Sequence, residues 1–251
     1  MVRYLAGLVL ACGLIGCERP AAPQPETTEQ PLEVAPAPLP RLTPAVHREE
    51  PPVSPQGVAF VVAFEVVSPA YYRRYLVRPI WPQGASGATV GIGYDLGHQI
   101  APVIRADWQA HARVEALAAA AGVKGEAARA LVVRMRDVET GYPLAEQVFR
   151  EAVVPRYWRA TTRAFPGVED LRPGARDALF SVIFNRGTAM AGDRRAEMRV
   201  IRDACIPAAD YQCIAENILA MRRIWVGTAI EGGMNRRRQG EAELVLAEVA
   251  A

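Results

Sequence analysis

Three side chains in this sequence carry oxygen chemistry at a suggestive spacing. Glu65 closes the apolar run Val58 to Phe64, an unusual place for a lone carboxylate. Thr89 and Asp95 stand six positions apart inside Ser86 to His98, which reads Ser-Gly-Ala-Thr-Val-Gly-Ile-Gly-Tyr-Asp-Leu-Gly-His. Breaking a glycosidic bond needs an acid to protonate the leaving oxygen and a second polar group to guide water or attack the sugar from the other side. Apolar surroundings are one way to keep such an acid protonated near neutral pH, and Glu65 lies among Val62, Ala63, Phe64, Val66 and Val67. A hydroxyl such as that of Thr89 could hold the water. A carboxylate such as Asp95 could draw a proton from it or stabilise positive charge on the ring. Taken singly, each residue also has an ordinary role: a solvated helix-end Glu, a structural strand Thr and a turn Asp.

The elements that must position them follow from the local pattern. Gly87, Gly91, Gly93 and Gly97 alternate with apolar residues, which reads as a short, closely approached hairpin rather than a core strand. On an uninterrupted strand the even spacing puts Thr89 and Asp95 on one face, with Val90, Ile92 and Tyr94 on the other. A turn at the glycines folds the two ends together instead; both geometries bring a hydroxyl and a carboxylate to one place. Val58 to Glu65 fits a buried strand or a short buried helix equally well. Ser68-Pro69 reads as a helix start, with Pro79 as the stop. Helical pattern then covers 102–121, 125–138, 143–162, 173–184, 194–203, 210–225 and 236–249.

The chain has 251 residues, 51% of them hydrophobic, and a net charge of +2, which suits one domain of about 190 residues once the N-terminal region is set aside. The arginines are dispersed, so no nucleic-acid partner is indicated. His47, His98 and His111 lack metal-ligand spacing, so no metal site is expected.

Residues 1–16, with Arg3 ahead of an apolar run, read as a secretory signal. Leu14-Ile15-Gly16-Cys17 resembles the lipobox of bacterial lipoproteins, which implies lipid on Cys17. Glu18 after the cysteine leans the expected location to the outer membrane, at its periplasmic face. Residues 17–57 are proline-rich and without apolar periodicity, so they read as an extended tether, with the globular domain at 58–251. Cys205 and Cys213, in the exported part, are expected to pair as a disulfide.

Glu65 followed by Thr89-Val-Gly-Ile-Gly-Tyr-Asp-Leu-Gly97 resembles the catalytic region of phage-type lysozymes, glycoside hydrolase family 24, and most closely its pesticin-like muramidases. The common phage pattern has an Asp between the Glu and the Thr, whereas Val66 to Ala88 contains no carboxylate. In the pesticin-like pattern the Asp follows the Thr by six, where Asp95 stands. Two more stretches match in order: Ala178-Leu-Phe-Ser-Val-Ile-Phe-Asn-Arg-Gly187, and Gly233-Met-Asn-Arg-Arg-Arg-Gln-Gly-Glu-Ala-Glu-Leu244.

The resemblance implies an α+β, predominantly helical, lysozyme-like fold, with a small β-hairpin lobe packed on a helical lobe and glycan between them. It implies Glu65 as general acid, Thr89 as water-positioning residue and Asp95 as second carboxylate. The implied substrate is peptidoglycan, cut without a cofactor at the β-1,4 bond between N-acetylmuramic acid and N-acetylglucosamine, with inversion. A catalytically weak, wall-binding lipoprotein and a lytic effector are the rival readings.

Ser181 and Asn185 share a helix face and are candidate substrate contacts. Trp81, beside Pro82-Gln83-Gly84, is the candidate cleft aromatic. Trp108, Tyr157, Trp158 and Trp225 sit in helical patterns and read as core. Arg186, Arg222 and Arg223 could meet stem-peptide carboxylates, although solvation is their ordinary role. Nothing in the sequence fixes an oligomeric state.

Overall fold

The computed structural model describes residues 52–247. The signal segment, Cys17 and the tether as far as Pro51 lie outside the described residues. The helices are α1 (Pro55–Val66), α2 (Pro69–Tyr75), α3 (Ala101–Asp107), α4 (Val114–Ala118), α5 (Gly125–Arg134), α6 (Tyr142–Val148), α7 (Val154–Ala164), α8 (Pro173–Arg186), α9 (Ala196–Val200), α10 (Tyr211–Ala220) and α11 (Glu231–Ala247). Between α2 and α3 lies an antiparallel pair, β1 (Thr89–Val90) and β2 (Tyr94–Asp95). The fold is α+β and predominantly helical, with a two-stranded sheet.

The apolar run before Glu65 is helical. Ser54 caps α1, its hydroxyl accepting from Gly57 N at 3.0 Å, and Pro55 occupies the first turn, where its missing N–H costs nothing. The folded domain therefore begins ahead of Val58: Val53 is already buried. Asp177 of α8 accepts from Ser54 N at 2.8 Å and also from the Ser54 hydroxyl. A carboxylate is favoured there, at the positive end of the helix dipole. Gly57 makes the approach feasible, because a Cβ at that position would lie 2.2 Å from Asp177 Cγ.

Two apolar clusters form the interior. The first gathers Val61, Tyr72, Val90, Ile92, Leu96, Trp108, Phe149 and Phe180 around the hairpin. The second gathers Phe165, Leu179, Ile183, Ile201, Ile218, Met221 and Val245 among the later helices. Phe60, Tyr157 and Trp158 pack against both. On α1, Val58, Val61, Val62 and Val66 belong to the first cluster and Phe60 reaches both.

Two of the departures from the expected helices have a visible cause. Residues 102–121 split into α3 and α4, because His111 takes over the backbone between them. Its Nδ1 accepts from Arg113 N at 3.0 Å, and its Nε2 lies 3.1 Å from Thr140 Oγ1. Residues 142–164 are helical throughout, but 149–153 form a π turn, in which Val154 N donates to Phe149 O. Pro155 follows directly; an α-helical path there would bring its ring against a carbonyl one turn back. Cys205 and Cys213 form a disulfide that closes the turn into α10. On the loop-entropy model this short closure contributes about 2–3 kcal/mol. Among the described residues no helix is long and apolar enough to cross a membrane.

Two outcomes are expected. Gly57→Ala pushes α1 off Asp177 and lowers stability by about 1–3 kcal/mol in denaturant titrations, the usual range for overpacking. Burial holds His111 below the ordinary histidine range, against a backbone hydrogen bond that raises it. The unfolded chain then binds the proton that the folded chain refuses, so this contribution is complete above about pH 6.5 and is lost as pH falls below it. His111→Gln should flatten the stability profile in that acid window.

Candidate active site

The hairpin settles how Thr89 and Asp95 meet. They are cross-strand partners, as are Val90 and Tyr94, so the chain turns at Gly91-Ile92-Gly93. Gly91 and Gly93 have φ of +59° and +68°, a region that glycine enters without strain. On its other side β1 bridges Ile80, with Ile80 N and Thr89 N each donating to the other's carbonyl at 2.9 and 2.8 Å.

Asp95 closes the base of this ribbon. Gly97 N donates to Oδ1 at 2.8 Å, and Gly87 N donates to both oxygens at 3.1 and 3.0 Å. His98 Nε2 lies 3.7 Å from Oδ2. The carboxylate remains 11% exposed, so its position is fixed without its being sealed. Thr89 Oγ1 is buried and has no hydrogen-bond partner among the described residues. A buried hydroxyl is costly unless something bonds it, so this oxygen is left to a solvent or ligand atom.

Glu65 approaches the ribbon from α1. A Cβ at Gly93 would lie 3.9 Å from Glu65 Oε2, which places that oxygen beside the hairpin turn. Its side chain is 21% exposed. The sequence suggested a purely apolar shelter, and the structure adds a cation. Arg237 Nη1 of α11 donates to Oε1 at 3.0 Å, and its guanidinium lies over the Phe64 ring at 5.4 Å. Just beyond Glu65, Val67 has φ of +60°, and Ser68 N donates to Val66 O at 2.5 Å. That strained turn reverses the chain into α2.

Arg237 is itself held from behind. Ser181 Oγ donates to Glu241 Oε1 at 2.6 Å and accepts from Arg237 Nη2 at 3.2 Å. Arg238 Nη2 donates to the same Glu241 oxygen at 2.8 Å and to Asn185 Oδ1 at 3.2 Å. Burial pulls the Arg238 guanidinium down to about 10, against the Glu241 charge that raises it.

The other sequence candidates take these places. Ser181 is 0% exposed and braces Arg237 and Glu241. Asn185 is half-buried and bonded to Arg238, which ties it to the same bracing. Trp81 sits past Ile80 at the outer edge of the ribbon. Its Nε1 donates to Ser86 O at 3.2 Å, and Arg129 lies over its ring at 5.8 Å; among the described residues no hydrogen bond joins it to Glu65 or Asp95. Arg223 pairs with Asp193 at 2.8 Å and with Glu197, Arg222 bonds Gln239, and Arg186 is buried over the Trp225 ring at 5.1 Å.

Two residues of the site were not singled out from the sequence. Arg237 lay inside a quoted motif, but nothing in its spacing pointed to Glu65. Tyr157, read as core, is half-buried and packs against both apolar clusters, and its phenol feels the charges of the carboxylates. Burial raises its phenol above the ordinary range, and the charges of Glu65 and Asp95 both add to the rise while Arg156 opposes it. Among the described residues no cluster of His, Cys, Asp and Glu is arranged to hold a metal ion.

The chain matches no protein-family model and no curated protein.

The base of the ribbon gives the sharpest stability test. A Cβ at Gly87 would meet Asp95 Oδ1 and Gly97 N, both at 2.4 Å, and neither can yield without opening the hairpin. Gly87→Ala is expected to cost about 1–3 kcal/mol in thermal or denaturant unfolding and to displace Asp95.

Proposed function

We propose that this protein is a peptidoglycan muramidase that hydrolyses the β-1,4 bond between N-acetylmuramic acid and N-acetylglucosamine. In this reading the lipobox-like Leu14 to Cys17 anchors it by lipid at the periplasmic face, and the proline-rich tract gives it reach. The observation that carries the reading is the junction of α1 with the hairpin. Glu65 Oε2 stands at the turn, while Thr89, whose hydroxyl has no hydrogen-bond partner among the described residues, is the cross-strand partner of Asp95.

The chemistry runs in one displacement. Glu65 gives a proton to the glycosidic oxygen as the C1–O bond breaks. A water on the opposite face of the ring, held by the Thr89 hydroxyl, adds to C1 and passes its proton to Asp95. The Gly87 and Gly97 amides hold Asp95 in place for that transfer. Attack from the opposite face inverts the anomeric centre.

One observation favours a second reading, a wall-binding lipoprotein with little turnover. Both carboxylates already have structural partners, Glu65 in Arg237 and Asp95 in the hairpin amides.

The mature chain in mild detergent should clear a peptidoglycan suspension, and Glu65→Gln should lower the rate by about 10²–10⁴-fold, the usual worth of a general acid. Mass analysis should find reducing N-acetylmuramic acid ends, and NMR of the first product the inverted anomer. Sedimentation with peptidoglycan but no clearing would replace the enzyme with the tether. Anhydro ends or cut peptides would overturn the muramidase chemistry.

A further inference from the structure

Helix α2 is held to the domain by one buried residue, Tyr72. Its phenol donates to Thr140 O at 3.0 Å, and its ring stands edge-on to that of Tyr142 on α6, with 5.4 Å between centroids. The rest of the helix looks outward: Tyr71 is half-buried, and Arg73, Arg74 and Tyr75 are exposed. Tyr75 keeps 51% of its surface in solvent, and Val67, at the turn leading into the helix, keeps 67%.

The charges on this face are not balanced within the fold. Arg78, just past the helix, is paired with Glu139. The side chains of Arg73 and Arg74 make no ion pair or hydrogen bond among the described residues, and the Tyr71 and Tyr75 hydroxyls make no hydrogen bond. The Arg74 guanidinium lies over the Tyr75 ring at 5.2 Å, and the Tyr71 and Tyr75 rings are 4.7 Å apart. The cluster therefore offers positive charge and donors around aromatic rings, rather than a bare ring face for a sugar to stack on. An apolar hollow of about 210 Å³ adjoins the helix start at Pro69, lined by Val62, Ala63, Val66, Val67 and Tyr142. The charged residues on its wall, Glu146 and Arg150, neutralise each other at 2.9 Å. Tyrosine, arginine and exposed apolar groups side by side suit the headgroup layer of a membrane, where amphipathic rings settle and guanidinium groups meet phosphate oxygens.

The chain also carries the means to bring that layer within reach. Val53, already part of the fold, stands thirty-six positions after Cys17, the residue that the lipobox reading anchors. A flexible chain of that length spans on the order of 30 Å, more than the roughly 18 Å of α1 between the domain's first residues and α2. Tethering at that distance supplies an effective concentration on the order of millimolar, so a weak face suffices.

We propose that the outer face of α2, with Arg73 and Arg74 beside Tyr71 and Tyr75, docks the folded domain on anionic phospholipid headgroups. The assignment draws on the lipid-anchored reading for the membrane at hand and is independent of the muramidase chemistry.

Vesicle sedimentation of the mature chain tests it, with Cys17→Ala to remove the lipid that would mask a weaker contact. At millimolar lipid and low salt the protein should sediment with phosphatidylglycerol vesicles and not with phosphatidylcholine vesicles, and salt at about 0.5 M should release it. Arg73→Gln combined with Arg74→Gln should weaken binding about thirtyfold, near fivefold for each arginine at an anionic surface. Arg159→Gln combined with Arg163→Gln, which removes the same charge from exposed positions on α7, should leave binding unchanged. Failure of the starting protein to sediment would overturn the assignment, because the tether supplies no higher concentration than the vesicles do. So would unchanged binding in the α2 pair, or an equal loss in both pairs, which would make net charge the cause. Loss of sedimentation with peptidoglycan rather than with vesicles in the α2 pair would give this face to the wall and overturn the assignment as well. Clearing of peptidoglycan by a chain that ignores vesicles would remove the docking face and leave the muramidase; vesicle binding by a chain that clears nothing would do the reverse.

Discussion

A carboxylate buried completely among guanidinium groups sets the terms for the rest of this structure. Glu241 is 0% exposed, and it takes hydrogen bonds from Ser181 and Arg238, with Arg237 Nε 3.4 Å from the same oxygen. Desolvating such charges costs several kcal/mol per ion, and the opposite charges and hydrogen bonds gathered at Glu241 Oε1 offset it. The partners come from different helices, so the requirement is also a geometric one. Ser181 on α8 has to lie against α11, and Arg237, once held there, extends to Glu65 on α1. The position of the proposed acid thus follows from charge balance deep in the helical half. Replacing these groups by apolar ones of similar shape need not unfold the protein, but it would remove what fixes Glu65.

The hairpin is held by a different means. Its backbone segments approach so closely at Gly87 and Gly97 that side chains are excluded: a Cβ on Gly97 would lie 2.4 Å from Val123 O. The amides exposed by that approach need acceptors, and Asp95 supplies them. A residue proposed to act on substrate therefore also closes the element that carries it. Its replacement would disturb both, which is why a measured loss of activity at Asp95 would need a structural control before it was assigned to chemistry.

How much of this was legible in the sequence varied with the kind of force involved. Caps and glycines are local signals, so the hairpin, the start of α2 at Ser68-Pro69 and the run of later helices could be read directly. The α1 start was not, because Pro55 looked like the end of the proline-rich tract until Ser54 was seen capping against Asp177, 123 residues away. The break between α3 and α4 has no Gly or Pro to announce it and depends on His111 reaching Thr140. Glu65, Thr89 and Asp95 were singled out by residue type and spacing together with the resemblance. Ser181 and Asn185 share a face of α8, as their spacing implies, but a face alone does not say whether substrate or another helix lies opposite. The sequence carries no term for Arg237 crossing from α11 to Glu65, 172 positions away.

The same junction explains why the candidate groups cluster where they do. Core packing is close enough to transmit strain, so a boundary between two cores is where polar groups can be exposed without opening either. Phe60, Tyr157 and Trp158 touch both clusters, and Glu65 follows from the first of these along α1. Helix α7 is tied to the ribbon through Asp107, which accepts from both Arg156 and Tyr94. The π turn at 149–153 then takes on a positional consequence. A π turn spreads its residues over more backbone per turn than an α-helix, so it rotates everything after it relative to α6. Arg156 and Tyr157 follow it within four residues. The direction in which they point is set by Pro155 and the turn that accommodates it, and a regular helix through the same residues would aim them elsewhere.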